Sequence, residues 1–255
     1  MRDTERDDGG ERVAVRLTGV SKRYPGGTVA LDRVDLAVRP GEFVCLVGAS
    51  GCGKSTLLSL VAGLDSPTAG TIEVAGGHAA LMFQDAALFP WLKVGQNVEV
   101  PLKLRGVPRA ERRARARELL AAVHLDDVAD KRPHELSGGM RQRVALARTL
   151  AQDAGVLLMD EPFGALDAMT RDALHDELER IWVERNLTII FVTHNVREAA
   201  RLGDRIVLLA SRPGRVIGEF AVDLPRPRRL ESPEVAGLAA RVTARLKREV
   251  RRHVG

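Results

Sequence analysis

Four uninterrupted apolar runs of strand length, Phe43 to Val47, Val156 to Met159, Ile189 to Val192 and Ile206 to Leu209, constrain this chain more than any other feature. A run without polar alternation describes a strand covered on both faces, as in parallel sheets flanked by helices. Helical stretches lie between the runs. Thr56 to Leu64 follows the first, and Leu174, Leu178, Ile181 and Trp182 give a later segment an apolar face at helical spacing. Two earlier stretches alternate instead: Val13, Val15 and Leu17 with Ala14, Arg16 and Thr18, and Val34, Leu36 and Val38 with Asp35, Ala37 and Arg39. Alternation predicts half-buried antiparallel strands. The expected class is therefore α/β, with a parallel sheet at its centre.

From about Asp85 to Asp153 the alternation stops, and helical patterns such as Met140, Val144, Ala147 and Ala151 take over; this reads as a helical insertion. Beyond Val222 the chain turns Pro- and Arg-rich (Leu224 to Arg229) and ends in a helix-like stretch with Arg241, Arg245, Arg248 and Arg252, expected to be peripheral to the core. The organisation predicted is a polar leader over 1–12, a main domain over 13–222 with the insertion at about 85–153, and a basic extension over 223–255.

With 45% apolar and 29% charged residues, the 255-residue chain can bury a sizeable core, which excludes disorder as the main state. Its formal charge of +5 suits an anionic partner: a nucleotide, a nucleic acid or a lipid headgroup. Cys45 and Cys52 cannot build a disulfide framework and do not have zinc spacing, so a reducing compartment is expected. The charged start of the chain has no apolar segment of a secretory signal, and no run reaches the roughly 18 residues of a membrane span. A cytosolic protein is expected, one whose membrane role would come through a partner.

Gly48-Ala49-Ser50-Gly51-Cys52-Gly53-Lys54-Ser55 fits the phosphate-binding loop pattern and sits between a buried strand and a helix, where that loop belongs. Glycines let backbone N–H groups turn toward an anion, the helix N-terminus adds positive potential, Lys54 can reach β- and γ-phosphates, and Ser55 can hold magnesium. Val156 to Met159 ends in Asp160 and Glu161, at the same sheet edge. Asp160 is expected to orient Mg²⁺ and Glu161 to act as general base on an attacking water. Leu136-Ser137-Gly138-Gly139-Met140 opens an amphipathic helix; alone it would be a helix cap.

Together these three motifs, in this order, resemble the ATP-binding cassette family over nearly the whole of Val13 to about Arg229. The resemblance implies a P-loop NTPase core with an N-terminal antiparallel β subdomain and an inserted helical subdomain. It also implies a homodimer in which each ATP lies between one subunit's phosphate loop (Gly48 to Thr56) and the other's Ser137-Gly138-Gly139. By position, Tyr24 matches the aromatic that stacks on adenine and Gln84 the glutamine near magnesium and water. Asp167 matches the loop that meets the opposite subunit, and His194 the γ-phosphate sensor. Ala49, Met140 and Asn195 depart from commoner residues of the family, and none of them removes a catalytic group.

One cassette per chain, without membrane spans, resembles importers. Leu81 to Trp91, Ser211 to Arg215 and Asp223 to Arg228 resemble the branch serving aliphatic sulfonates, taurine and nitrate, and the short stretch from Gly70 to Phe83 resembles its sulfonate members. Phe89, Pro90 and Trp91 match the region that docks a permease at the cytoplasmic face of the membrane. A solute-binding protein would be an indirect partner, and it is there and at the permease that cargo is chosen. A cassette protein acting on nucleic acid is a second reading, suggested by the arginine-rich tail, but paired cassettes or long coiled coils are lacking and no nucleic acid is expected. A P-loop kinase would leave Leu136 to Met140 without a role.

Overall fold

The structure is a computed structural model that describes residues 12–210 and 213–254, with side chains through 249. The leader expected over 1–12 lies outside these residues apart from Arg12, as do Ser211, Arg212 and the side chain of Arg252.

Two sheets are stacked. The outer sheet is antiparallel: β1 (Val15–Arg23) lies between β2 (Val29–Val38) and β4 (Ala69–Val74). The central sheet contains β3 (Phe43–Gly48), β5 (Ala80–Met82), β6 (Val156–Asp160), β7 (Thr188–Thr193), β8 (Arg205–Leu209) and β9 (Val216–Ala221), in the order β5-β6-β7-β3-β8-β9. All of its pairings are parallel except β8 with β9. The four apolar runs are β3, β6, β7 and β8, as expected.

The two-residue period of a strand divides each run between the two faces. Val44, Leu46, Leu158, Ile190, Val192 and Val207 face the outer sheet and α1 (Lys54–Val61). Phe43, Cys45, Val47, Met159, Phe191 and Leu208 face a larger apolar cluster that takes in the remaining helices. Continuous hydrophobicity is thus required on both sides, and at about 25 cal/mol per Å² of buried apolar surface this burial is the main stabilising term.

Between β5 and β6 every regular element is helical: α2 (Val94–Leu104), α3 (Arg109–Ala122), two short 3₁₀ turns and α4 (Gly138–Leu150). Val98, Leu102, Leu120 and Val144 carry their apolar faces into the larger cluster. α5 (Ala168–Arg185) buries Leu174, Leu178 and Ile181 fully, and α6 (Val196–Leu202) follows β7.

The C-terminal stretch is not peripheral. α7 (Pro233–Val254) inserts Val235, Leu238, Ala239 and Val242 into the larger cluster, an i, i+3, i+4, i+7 stripe. The Pro- and Arg-rich connection is fastened as well. The buried guanidinium of Arg228 donates to the carbonyls of Gly203 (2.5 Å), Leu224 (3.0 Å) and Val222 (3.0 Å). That of Arg226 lies 4.4 Å from the Trp182 ring and pairs with Glu179 at 2.7 Å. Among the described residues, no helix is long and apolar enough to cross a membrane.

Candidate functional site

Parallel registration sets the site. Asp160 pairs with Val192, and Val47 with Thr193, so β3, β6 and β7 deliver the phosphate loop, Asp160-Glu161 and His194 to one sheet edge. A cleft of about 1040 Å³ opens there, lined by Ser50, Gly51, Gly53, Lys54, Ser55 and Thr56, with Gln84, Asp160 and Glu161 opposite and Tyr24 at one side. Thr28, Val29, Ala30 and Pro213 complete the wall; nothing in their residue types announced them.

The loop's glycines answer to close packing. A Cβ on Gly48 would meet Cys52 Sγ at 2.6 Å and the Leu209 carbonyl at 2.7 Å. Gly53 has φ +92°, and a Cβ there would meet the Ala30 carbonyl at 2.8 Å. Lys54 is buried, and its Nζ donates to the carbonyls of Gly48 (2.8 Å) and Ala49 (3.1 Å), which holds the amine beneath the loop. Cys52 is also buried; burial pushes its thiol up, against the opposing pull of Lys54.

Ser55, Asp160 and Gln84 all line the cleft, and a hydroxyl, a carboxylate and an amide carbonyl are the oxygen donor types a small hard cation takes. Glu161 follows directly, with φ +45°, a left-handed conformation uncommon outside glycine. Its N–H donates to the Val192 carbonyl at 3.0 Å, and its Oε2 lies 2.8 Å from His194 Nδ1. A carboxylate only accepts, so the imidazole donates from Nδ1. The His194 side chain is largely exposed and borders a second groove of about 700 Å³, formed with α7, rather than lining the first.

Ser137, Gly138, Gly139 and Asp167 do not line the cleft. Ser137 caps α4, accepting from Met140 N at 3.2 Å, and Asp167 caps α5, accepting from Thr170 N at 3.0 Å. The Thr170 N–H holds the Asp167 carboxyl below the usual range. The two caps are neighbours: a Cβ on Gly139 would collide with Thr170 Cγ2.

α4 also grips the segment after Gln84, which the sequence did not suggest. Gln142 Nε2 donates to the Gln84 carbonyl at 2.8 Å, and Arg148 donates to the carbonyls of Ala86 and Ala87, each at 2.7 Å. Beyond that segment Phe89 and Trp91 touch, ring centroids 5.5 Å apart, yet Trp91 is 67% exposed, so they are not a buried pair.

Comparison with known proteins agrees with this geometry. The family model described as "ABC transporter" matches residues 31–164. The nitrate import ATP-binding protein of Synechocystis sp. is 49% identical over 213 residues, 81% of this chain and 79% of that protein. The aliphatic sulfonates import ATP-binding protein of Rhodopseudomonas palustris is 48% identical over 239 residues, 92% and 83% of the two chains. A solved dimeric post-hydrolysis state of an ATP-binding cassette, bound to ADP and Pi, superposes with a TM-score of 0.73 at 34% identity, covering 83% of this chain and all of that one. A strand-edge cleft built on a phosphate loop, at these levels of identity over most of the chain, leads to one conclusion: the chain belongs to the ABC transporter family, as an ATP-hydrolysing cassette.

Proposed function

We propose that this cassette drives an importer of small anions, two copies closing on two ATP·Mg²⁺ and transmitting that closure to a separate permease at the cytoplasmic face of the membrane. One observation carries the reading. The cleft gathers Ser50, Gly51, Gly53, Lys54, Ser55 and Thr56 of the phosphate loop with Asp160 and Glu161, while Ser137-Gly138-Gly139 lies off it on the same chain, which supports those N–H groups reaching a triphosphate across a dimer. The dimeric state of the solved relative supports the same arrangement.

In this reading Tyr24 stacks on adenine, and the loop from Gly48 to Thr56 wraps the phosphates. Ser55, Asp160 and Gln84 hold Mg²⁺, which when bound neutralises charge on the β- and γ-phosphates. Glu161 takes the proton of the attacking water, and His194 holds Glu161 and meets the γ-phosphate. Asp167, beside Ser137-Gly138-Gly139, faces the partner subunit. Catalysis then comes from positioning and charge stabilisation rather than covalent chemistry. Arginine at Ser137 tests the dimer: the S137R chain should bind ATP normally but neither dimerise on gel filtration with ATP nor hydrolyse it. An ATP-dependent S137R dimer with wild-type turnover would refute the sandwich.

Exposed Trp91, beside Phe89, provides the permease contact, and a solute-binding protein is the indirect partner. For the cargo we infer an aliphatic sulfonate, supported by the sulfonate-type stretch from Gly70 to Phe83 and the relative from R. palustris. The nitrate relative makes nitrate the second reading. A strain lacking this chain should fail to grow on sulfonate as sole sulfur source; loss of growth on nitrate alone would reverse the order.

A further inference from the structure

Behind His194 lies a buried polar chain that neither the phosphate loop nor the carboxylates need for their own packing. His175 on α5, Thr193 at the end of β7, and Glu198 and Arg201 on α6 are each at most 6% exposed. Arg201 Nη1 lies 3.0 Å from His175 Nδ1, and His175 Nε2 lies 2.6 Å from Glu198 Oε1. A guanidinium only donates, so Nδ1 carries the lone pair and Nε2–H points at Glu198. The second carboxylate oxygen accepts from the hydroxyl of Thr193. That hydroxyl in turn accepts from the backbone N–H of Asn195 at 2.9 Å. Asn195 then caps α6 through Arg197 N at 3.0 Å. Arg201 is anchored by Asp176 at Nη2 (2.6 Å) and by Asp172 at Nη1 (3.3 Å). The terminal guanidinium nitrogens of Arg201, the His175 Nε2–H, the Thr193 hydroxyl and the Asn195 N–H each meet an acceptor, and the direction runs from Arg201 to the two residues that flank His194.

We propose that Glu198 is a positioning residue for His194: with His175 behind it, it orients the Thr193 hydroxyl, which pins the Thr193–Asn195 turn and so aims the His194 imidazole at Glu161. The proposal rests on the role given to His194 above. Without the Glu198 carboxylate the hydroxyl is free to rotate away from Asn195, and the imidazole loses its fixed 2.8 Å approach to Glu161. A misplacement of about 1 Å at a reacting group costs up to about 100-fold in rate. Buried charges resist clean deletion, so Thr193 is the better handle: valine keeps its shape and its branched fit in β7 and removes only the hydroxyl.

The experiment measures ATP hydrolysis by the full chain as wild type, T193V, T193S and H194A, together with the His194 ring Cε1–H resonance, identified by its absence in H194A. T193V should lower kcat by about 10-fold or more with KM for ATP within about 2-fold, and should move the ring resonance. T193S should restore both. A T193V chain with wild-type kcat and an unmoved resonance overturns the proposal, as does a T193S chain no better than T193V, because then side-chain packing and not the hydroxyl matters. If H194A is inactive while T193V is normal, only this proposal falls. If H194A itself hydrolyses ATP like wild type, the role of His194 falls with it.

Discussion

Glutamine in place of Glu161 keeps the side chain's shape and its ability to accept from His194 Nδ1, and removes the charge that would take a proton from water. Loss of a general base costs about 100- to 10,000-fold in rate, or about 3–5 kcal/mol of barrier, so E161Q should bind ATP with wild-type affinity and release phosphate at no more than about 1% of the normal rate. Stability gives a second, independent reading of the same residue. At φ +45° Glu161 carries backbone strain of about 1 kcal/mol or more. Alanine would keep that strain and lose the contact with His194. Glycine would lose the contact but relax the backbone, so E161G should be more stable than E161A by about 1 kcal/mol, about 2–4 °C in Tm, the reverse of the usual order. Thermal unfolding of the two variants beside a phosphate-release assay of E161Q checks both. An E161A chain at least as stable as E161G would refute the strain, and E161Q turnover within about 3-fold of wild type would require another base.

K54A should weaken nucleotide binding by about 10- to 100-fold, read with a fluorescent ATP analogue, since it removes the charge-assisted donor under the loop; unchanged affinity would overturn the loop assignment. Cys52, its thiol pushed up by burial, holds less thiolate than a free cysteine at neutral pH, so a maleimide should label it more slowly than a small free thiol, faster as pH rises, and more slowly again with ATP present. L238A should cost about 2–5 kcal/mol in denaturant unfolding because Leu238 is buried in the main cluster, and a loss near zero would return α7 to the periphery. W91A should leave ATP binding intact and reduce co-purification with the permease; full recovery of the complex would place the contact elsewhere.

Burial on both faces made the central strands legible, because it demands apolar residues at every position from Phe43 to Val47 and in the matching runs. β4 and β9 escaped notice because each is an edge strand with no fully buried residue, with only Ile72 and Val74, or Val216, Ile217 and Phe220, as apolar signal. β5 has three residues, too few to show a period. α7 was misjudged because its arginines dominate the sequence, although Val235, Leu238, Ala239 and Val242 already had helical spacing. In the cleft the loop and Asp160-Glu161 announce themselves through spacing. The grip of Gln142 and Arg148 does not, since a side chain bonding to a distant carbonyl places no demand on the residue that supplies the carbonyl.

That grip makes α4 a lever. Its 13 residues span about 20 Å, with Ser137 at one tip and Arg148 near the other. Tilting it without dragging Gln84, Ala86 and Ala87 along would break three hydrogen bonds, two of them from a guanidinium, at about 4–7 kcal/mol in all. Thermal agitation does not supply that readily. A push felt at the Ser137 tip is therefore passed to the backbone at Gln84, a residue that shares the cleft lining with Asp160.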